Sequence, residues 1–154
     1  MKDGYIKVKA ASPKLTVGDI AFNKEEIVRE IKKAISEDVK ILVLPELSLT
    51  GKSAGEQAFS GVILNASEKA LENIKFATQG SDILIFAGAP LQYKGANYSC
   101  AVAIKSGEIL GIVPKMGKMP YFKDFIKIGN EKYPFGTDLL FSCNEMKDLT
   151  IGVV

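Results

Sequence analysis

Histidine and tryptophan are absent from the 154 residues, and cysteine occurs only twice. Without histidine, Ser-His-Asp and Cys-His catalysis are excluded, and so are imidazole-ligated metal sites. The sequence contains no GxxxxGK[ST], GxGxxG or CxxC, so the usual marks of phosphate cradles, dinucleotide folds and thiol redox centres are missing. No apolar run approaches the length of a bilayer span. The first ten residues, MKDGYIKVKA, interleave lysine with apolar side chains and form no signal-peptide core. Twenty basic and 18 acidic residues leave a net charge of +2, and the basic residues do not cluster. Neither nucleic acid nor a membrane is therefore expected as a partner. Any chemistry must come from carboxylate, amine, thiol or hydroxyl groups.

Hydrophobic residues make up 47% and charged residues 25%, the composition of a soluble globular domain. The length suits one domain spanning residues 1–154. Cys100 and Cys143 lie inside apolar segments without metal-like spacing and read as reduced core thiols, which implies the cytoplasm.

Residues 5–11, YIKVKAA, begin with strand alternation and end at Ser12-Pro13. A helix is predicted from Phe22, with Asn23 as N-cap, Glu26 as its capping-box partner and a staple between Phe22 and Ile27. Ile27, Ile31 and Ile35 recur every fourth residue and give that helix one apolar stripe. The run ILVL at 41–44 has the pattern of a parallel strand buried on both faces and completes a βαβ unit. A second helix is expected after Asn65, with Glu68 as its box residue, Ala66, Ala70, Ile74 and Ala77 inward, and an end near Gly80. Another buried strand, ILIFAGA, follows at 83–89. Then come a turn at 93–97, a strand at 98–104, a tight turn at 105–108 and a strand at 109–113. Residues 115–137 lack clear periodicity and read as one long loop. Strands at 139–143 and 149–154 close the chain. The final LTIGVV has the look of a sheet interior, where a chain rarely stops, so an incomplete domain is expected.

Two charged residues each follow a proline at the end of a buried strand: Glu46 in ILVLPELSLTG and Lys115 in ILGIVPKMG. In open α/β sheets the crevice beyond the C-terminal strand ends receives ligands. Glu46 could serve there as a general base and Lys115 as the cation facing a developing oxyanion. A single charge just past a strand is usually a solvated loop residue, and the residues alone leave that reading open.

The stretches ASPKLTVGDIAFNKEEI (11–27), VLPELSLTGKSAGEQAF (43–59) and GANYSCAVAIKSGEILGIVPK (95–115) bring up a family. In order and spacing, from about residue 5 to the end, the chain resembles the N-terminal glutaminase domain of glutamine-dependent NAD synthetases, a branch of the nitrilase-type carbon-nitrogen hydrolase superfamily. The resemblance implies an α/β fold, the α-β-β-α sandwich of that superfamily, here incomplete at its C-terminal side. It implies a Cys-Glu-Lys triad that releases ammonia from glutamine, with Glu46 as base and Lys115 as the intermediate-stabilising lysine. It places the nucleophilic cysteine just past LTIGVV, about two residues beyond the end of the sequence. Neither Cys100 nor Cys143 is expected to substitute for it, because a cysteine inside an apolar strand is usually inert core. ATP, Mg²⁺ and the NAD precursor would belong to a synthetase domain that this chain lacks, and a homo-oligomer is expected.

The chain departs from the family after PELSLTG. A pocket tyrosine is usual there, and this sequence has Lys52, a flexible cation in place of a stacking ring. Downstream, Tyr121 is expected to keep one pocket aromatic, Asp124 to stand in for an acidic residue, and Lys127 has no clear counterpart. These departures keep two other readings open: a non-catalytic nitrilase-like binding or assembly module, and another carbon-nitrogen hydrolase, such as an amidase or ω-amidase, acting on a different small amide.

Overall fold

The computed structural model describes residues 5–115, 121–143 and 146–153; the side chains at 143 and 146–148 lie outside the description. Nine strands and two α-helices are seen among these residues. The strands are β1 (Val8–Ala10), β2 (Ile41–Val43), β3 (Leu84–Tyr93), β4 (Ala96–Lys105), β5 (Glu108–Pro114), β6 (Lys123–Ile128), β7 (Glu131–Gly136), β8 (Leu140–Cys143) and β9 (Met146–Gly152), and the helices are α1 (Ile20–Ser36) and α2 (Gly61–Phe76). Seven strands form one sheet in the order β1-β2-β3-β4-β5-β7-β6, while β8 and β9 pair separately as an antiparallel hairpin. The first three strands run parallel and are linked through α1 and α2, as buried apolar runs separated by amphipathic helices require. The meander β3-β4-β5 is antiparallel, and its two turns place Lys94-Gly95 and Ser106-Gly107 at positive φ.

Period-2 alternation assigns the two faces of the large sheet. Leu42, Ile85, Ala87, Ala89, Cys100, Val102 and Ile112 point toward the helices and join Ile27, Ile31, Leu71 and Ile74 in the main core. Ile41, Leu84, Phe86, Ala103 and Val113 point the other way and meet Leu139 and Phe141 beside the β8-β9 hairpin. Phe86 and Phe141 stack edge to face there, with centroids 5.7 Å apart. The described residues thus form three layers: a helix pair, a mixed seven-stranded sheet and a two-stranded hairpin. Among them no helix is long and apolar enough to cross a membrane.

Several elements differ from the sequence-based expectations. Helix α1 starts about one turn earlier than Asn23 suggested: its N-cap is Asp19, whose carboxylate accepts from the Phe22 amide. Asn23 sits inside the helix, fully buried. Its Oδ1 accepts from the Thr16 amide, and its Nδ2 donates to the Thr16 and Leu49 carbonyls. The residue chosen as a cap therefore pins the loop after β2 to the helix. Asn23→Ala strands these groups in a dry interior, and a loss of about 2–4 kcal/mol in unfolding free energy is expected by urea denaturation. An unchanged midpoint would show that the three bonds carry nothing. Glu26 accepts a hydrogen bond from Arg29, and Phe22 is exposed.

Helix α2 begins at Gly61, not after Asn65, with Ser60 at the cap position. The supposed loop at 115–137 contains the β6-β7 hairpin over 123–136, turning at Gly129-Asn130 with Gly129 at positive φ. Its alternation is visible once the turn is known: Ile126, Ile128, Tyr133 and Phe135 are buried, and residues between them are exposed or half-buried. Residues 116–120 of that stretch lie outside the described residues. Strand β9 starts earlier than 149, with β8 as its partner, and among the described residues its side chains from Leu149 to Gly152 are half-buried or exposed.

Candidate active site

Strand β2 ends at Val43, and the chain then turns sharply through Pro45-Glu46-Leu47. Leu47 adopts a positive φ of 52°, and its carbonyl accepts from the Thr50 and Gly51 amides. This corner passes directly over β3 at Gly88. A Cβ on Gly88 would lie 2.3 Å from the Pro45 carbonyl oxygen and 2.5 Å from the Leu47 amide nitrogen. Buried Ser48 locks the crossing, its Oγ donating to the Gly88 carbonyl and accepting from the Gly88 amide, each at 3.1 Å. The position of Glu46 is therefore set by a missing side chain on the neighbouring strand. Sequence reasoning overlooked Gly88, although an isolated glycine inside the buried run LIFAGAP is the signal of close backbone approach.

Lys115 follows β5 on the same face as Val113, and its amide donates to the Ser99 carbonyl at 2.7 Å, extending the β4-β5 ladder by one bond. Its Nζ lies 2.9 Å from Glu46 Oε1. The hydroxyl of Ser99 donates to the same oxygen at 3.1 Å, and Lys52 Nζ stands 3.2 Å from the other carboxylate oxygen. One carboxylate thus faces two ammonium groups and a hydroxyl. Together, and led by the Lys115 bond, they hold the Glu46 carboxyl below its ordinary value against the opposing effect of burial. Glu46 is thus a carboxylate at neutral pH, able to accept a proton.

That depression has a stability consequence. Glu46 contributes in full above the pKa it has in the unfolded chain, and the contribution disappears as pH falls through the lower folded value. The melting-temperature gap between the wild type and Glu46→Gln is expected to be widest near pH 6 and to close on acidification. A gap that stays constant would mean that Glu46 is not held low.

Glu46, Ser99 and Lys115 line a cavity of about 750 Å³ between the large sheet and β9. Its other walls are mostly apolar, including Val43, Phe86, Val113, Ile151 and Val153. A few convergent polar groups in an apolar cleft are the ordinary form of a small-molecule site. Cys100 has only its edge here: its side chain belongs to the helix-side core, 3% exposed, and burial pushes its thiol far up from the usual range. The side chain of Cys143 lies outside the described residues. Among the described residues no group of three or more His, Cys, Asp or Glu could hold a metal ion.

The structure brings Glu46 and Lys115 together and adds Lys52, but it does not bring Tyr121 to them. Tyr121 is 78% exposed and is not part of the cavity wall. Asp124 is bound to Tyr93 and Lys94 at the tip of the β3-β4 hairpin, away from the cavity, and Lys127 is exposed on β6. Ser99, which bonds Glu46 and carries the Lys115 amide, was missed; within YSCAVAI it reads as one more strand residue.

The fold that carries these residues is the one seen in solved nitrilase-superfamily proteins. A solved glutamine-dependent NAD(+) synthetase from Cytophaga hutchinsonii superposes with a TM-score of 0.82 at 24% identity, over 96% of this chain and 27% of that one. A solved amidase from Nesterenkonia sp. gives a TM-score of 0.63 at 15% identity, over 86% of this chain and 55% of that one. By sequence the chain is homologous to proteins named glutamine-dependent NAD(+) synthetase, which match nearly all of it. The Mycobacterium tuberculosis protein of that name is 30% identical over 167 residues, covering 97% of this chain, and the Aquifex aeolicus protein is 34% identical over 110 residues, covering 71%. The chain spans about a quarter of the length of the first of these relatives and about a fifth of the second. No family model matches it.

Proposed function

We propose that this chain is the base-and-lysine part of a glutamine amidohydrolase domain that supplies ammonia for NAD synthesis. The observation that carries the reading is the 2.9 Å contact between Glu46 and Lys115, which stand 69 residues apart in the chain and line one apolar cavity. In the proposed reaction a cysteine thiol gives its proton to Glu46 as sulfur attacks the amide carbon, and the Lys115 ammonium faces the developing oxyanion. Protonated Glu46 then returns the proton to the departing nitrogen, ammonia leaves, and water hydrolyses the thioester. The net change is glutamine plus water to glutamate plus ammonia.

The described residues place no thiol in the cavity, and the cysteine is proposed to come from sequence following Val154. ATP, Mg²⁺ and the NAD precursor are assigned to a separate synthetase domain, and a cytoplasmic homo-oligomer is proposed from the family resemblance. Lys52, paired with the second carboxylate oxygen of Glu46, is proposed to meet the polar end of the substrate. The test is an ammonia assay on two polypeptides. The 154-residue chain with glutamine is expected to show no release above the uncatalysed rate. The chain continued through the cysteine-bearing segment is expected to release ammonia, and its failure to act on glutamine while hydrolysing simple aliphatic amides would move the assignment to another carbon-nitrogen hydrolase.

A further inference from the structure

Ser99 touches both members of the charged pair by different atoms. Its hydroxyl donates to Glu46 Oε1 at 3.1 Å, the same oxygen that receives Lys115 Nζ at 2.9 Å, while its backbone carbonyl accepts the Lys115 amide at 2.7 Å. The three residues close a ring of hydrogen bonds that joins the corner after β2, strand β4 and the end of β5. We propose that Ser99 is the positioning residue of this site: its hydroxyl keeps one carboxylate oxygen of Glu46 turned toward Lys115, and its carbonyl fixes where Lys115 leaves the sheet. As a role in catalysis this rests on the proposed amidohydrolase reading, but the positional claim concerns this chain's own residues and is tested without turnover.

Geometry makes the hydroxyl the sensitive element. The backbone bond survives any substitution at 99, whereas the side-chain bond needs a donor at this Cβ. Ser99 lies on the cavity face of β4 with Ala101 and Ala103, so a side chain here can reach Glu46, while that of its neighbour Cys100 points into the helix-side core. The charged groups facing Glu46 are Lys115 from the end of β5 and Lys52 from the segment after β2. Lys52 and Lys115 are both well exposed, their side chains 74% and 62% accessible, so their hold on the carboxylate is screened by water. A half-buried hydroxyl with a short side chain has little rotamer freedom to lose and orients the carboxylate at smaller entropic cost.

The experiment follows the Glu46 side-chain carboxyl by ¹³C NMR across an acid titration of the chain labelled at glutamate, with Glu46→Gln used to assign the resonance. Ser99→Ala and the isosteric Ser99→Cys are expected to move the Glu46 titration to higher pH, and Ser99→Thr, which keeps the hydroxyl, to leave it near that of the wild type. If the alanine variant does not fold, the cysteine variant decides. An unmoved Glu46 titration in the folded Ser99→Cys or Ser99→Ala chain overturns the proposal, as does a threonine variant that shifts as far as they do. In a longer polypeptide with turnover, the acidic limb of the kcat/KM profile should shift with the NMR titration. Absence of glutaminase activity there would count against the proposed function and leave the NMR result standing.

Discussion

Glu46→Gln, in a polypeptide that carries this chain together with its nucleophile, is expected to lower amide hydrolysis by about 10²- to 10⁴-fold, the usual contribution of a positioned general base. The amide keeps the shape of the side chain and can still bond Ser99, but it cannot take a proton at neutral pH. The loss should appear in kcat, since proton transfer belongs to the transition state, and substrate affinity should change less. Because Lys52 and Lys115 both pair with the carboxylate, the neutral variant leaves two cations without their partner charge. An anionic additive could therefore bind the variant better than the wild type. Retention of near-normal turnover by Glu46→Gln would remove Glu46 from the chemistry and leave it as a surface ion-pair partner.

The largest effect on stability is expected at Gly88. A methyl group there would have to occupy space 2.3 Å from the Pro45 oxygen and 2.9 Å from the Glu46 carbonyl carbon, contacts made with backbone that has no rotamer to yield. Gly88→Ala is expected to cost about 3 kcal/mol in unfolding free energy, at the upper end of what overpacking does in a dense interior. It should also displace the corner that presents Glu46. Gly61→Ala serves as the control: nothing lies within 4 Å of its added Cβ, and the position opens α2. It is expected to be neutral or to stabilise by up to about 1 kcal/mol. Equal denaturation midpoints for the two variants would show that the corner adjusts freely and that Gly88 does not set the site.

The elements read most clearly from the sequence are those whose determinants are local. The runs ILVL and ILIFAGA announce buried strands, Lys94-Gly95 and Ser106-Gly107 announce tight turns, and Ile27 with Ile31 announces the inner face of α1. The errors share a cause. Asn23 carries a side chain that caps helices well, yet in the folded chain it is worth more spanning α1 and the loop after β2, a choice that depends on Leu49 being present 26 residues away. The β6-β7 hairpin escaped notice because it follows an irregular stretch and has its apolar residues on one face only. That face is buried by distant residues: Tyr93 and Tyr98 pack on Phe135, and the Lys75 ammonium of α2 bridges Glu72 and Glu131 beside Tyr133.

From the amino-acid order alone came the chemical inventory of this protein: no imidazole, two cysteines in apolar strands, and a carboxylate and an amine each placed by a proline just past a strand. Local sterics and hydrophobic periodicity suffice for that, since each signal is contained within a few residues. The folded sheet alone decided that Glu46 and Lys115 meet, that Ser99 ties them, that Gly88 makes room, and that Cys100 faces away. Those outcomes depend on strand register and on which face each residue takes, and register is settled only when distant strands pair and bury their common core.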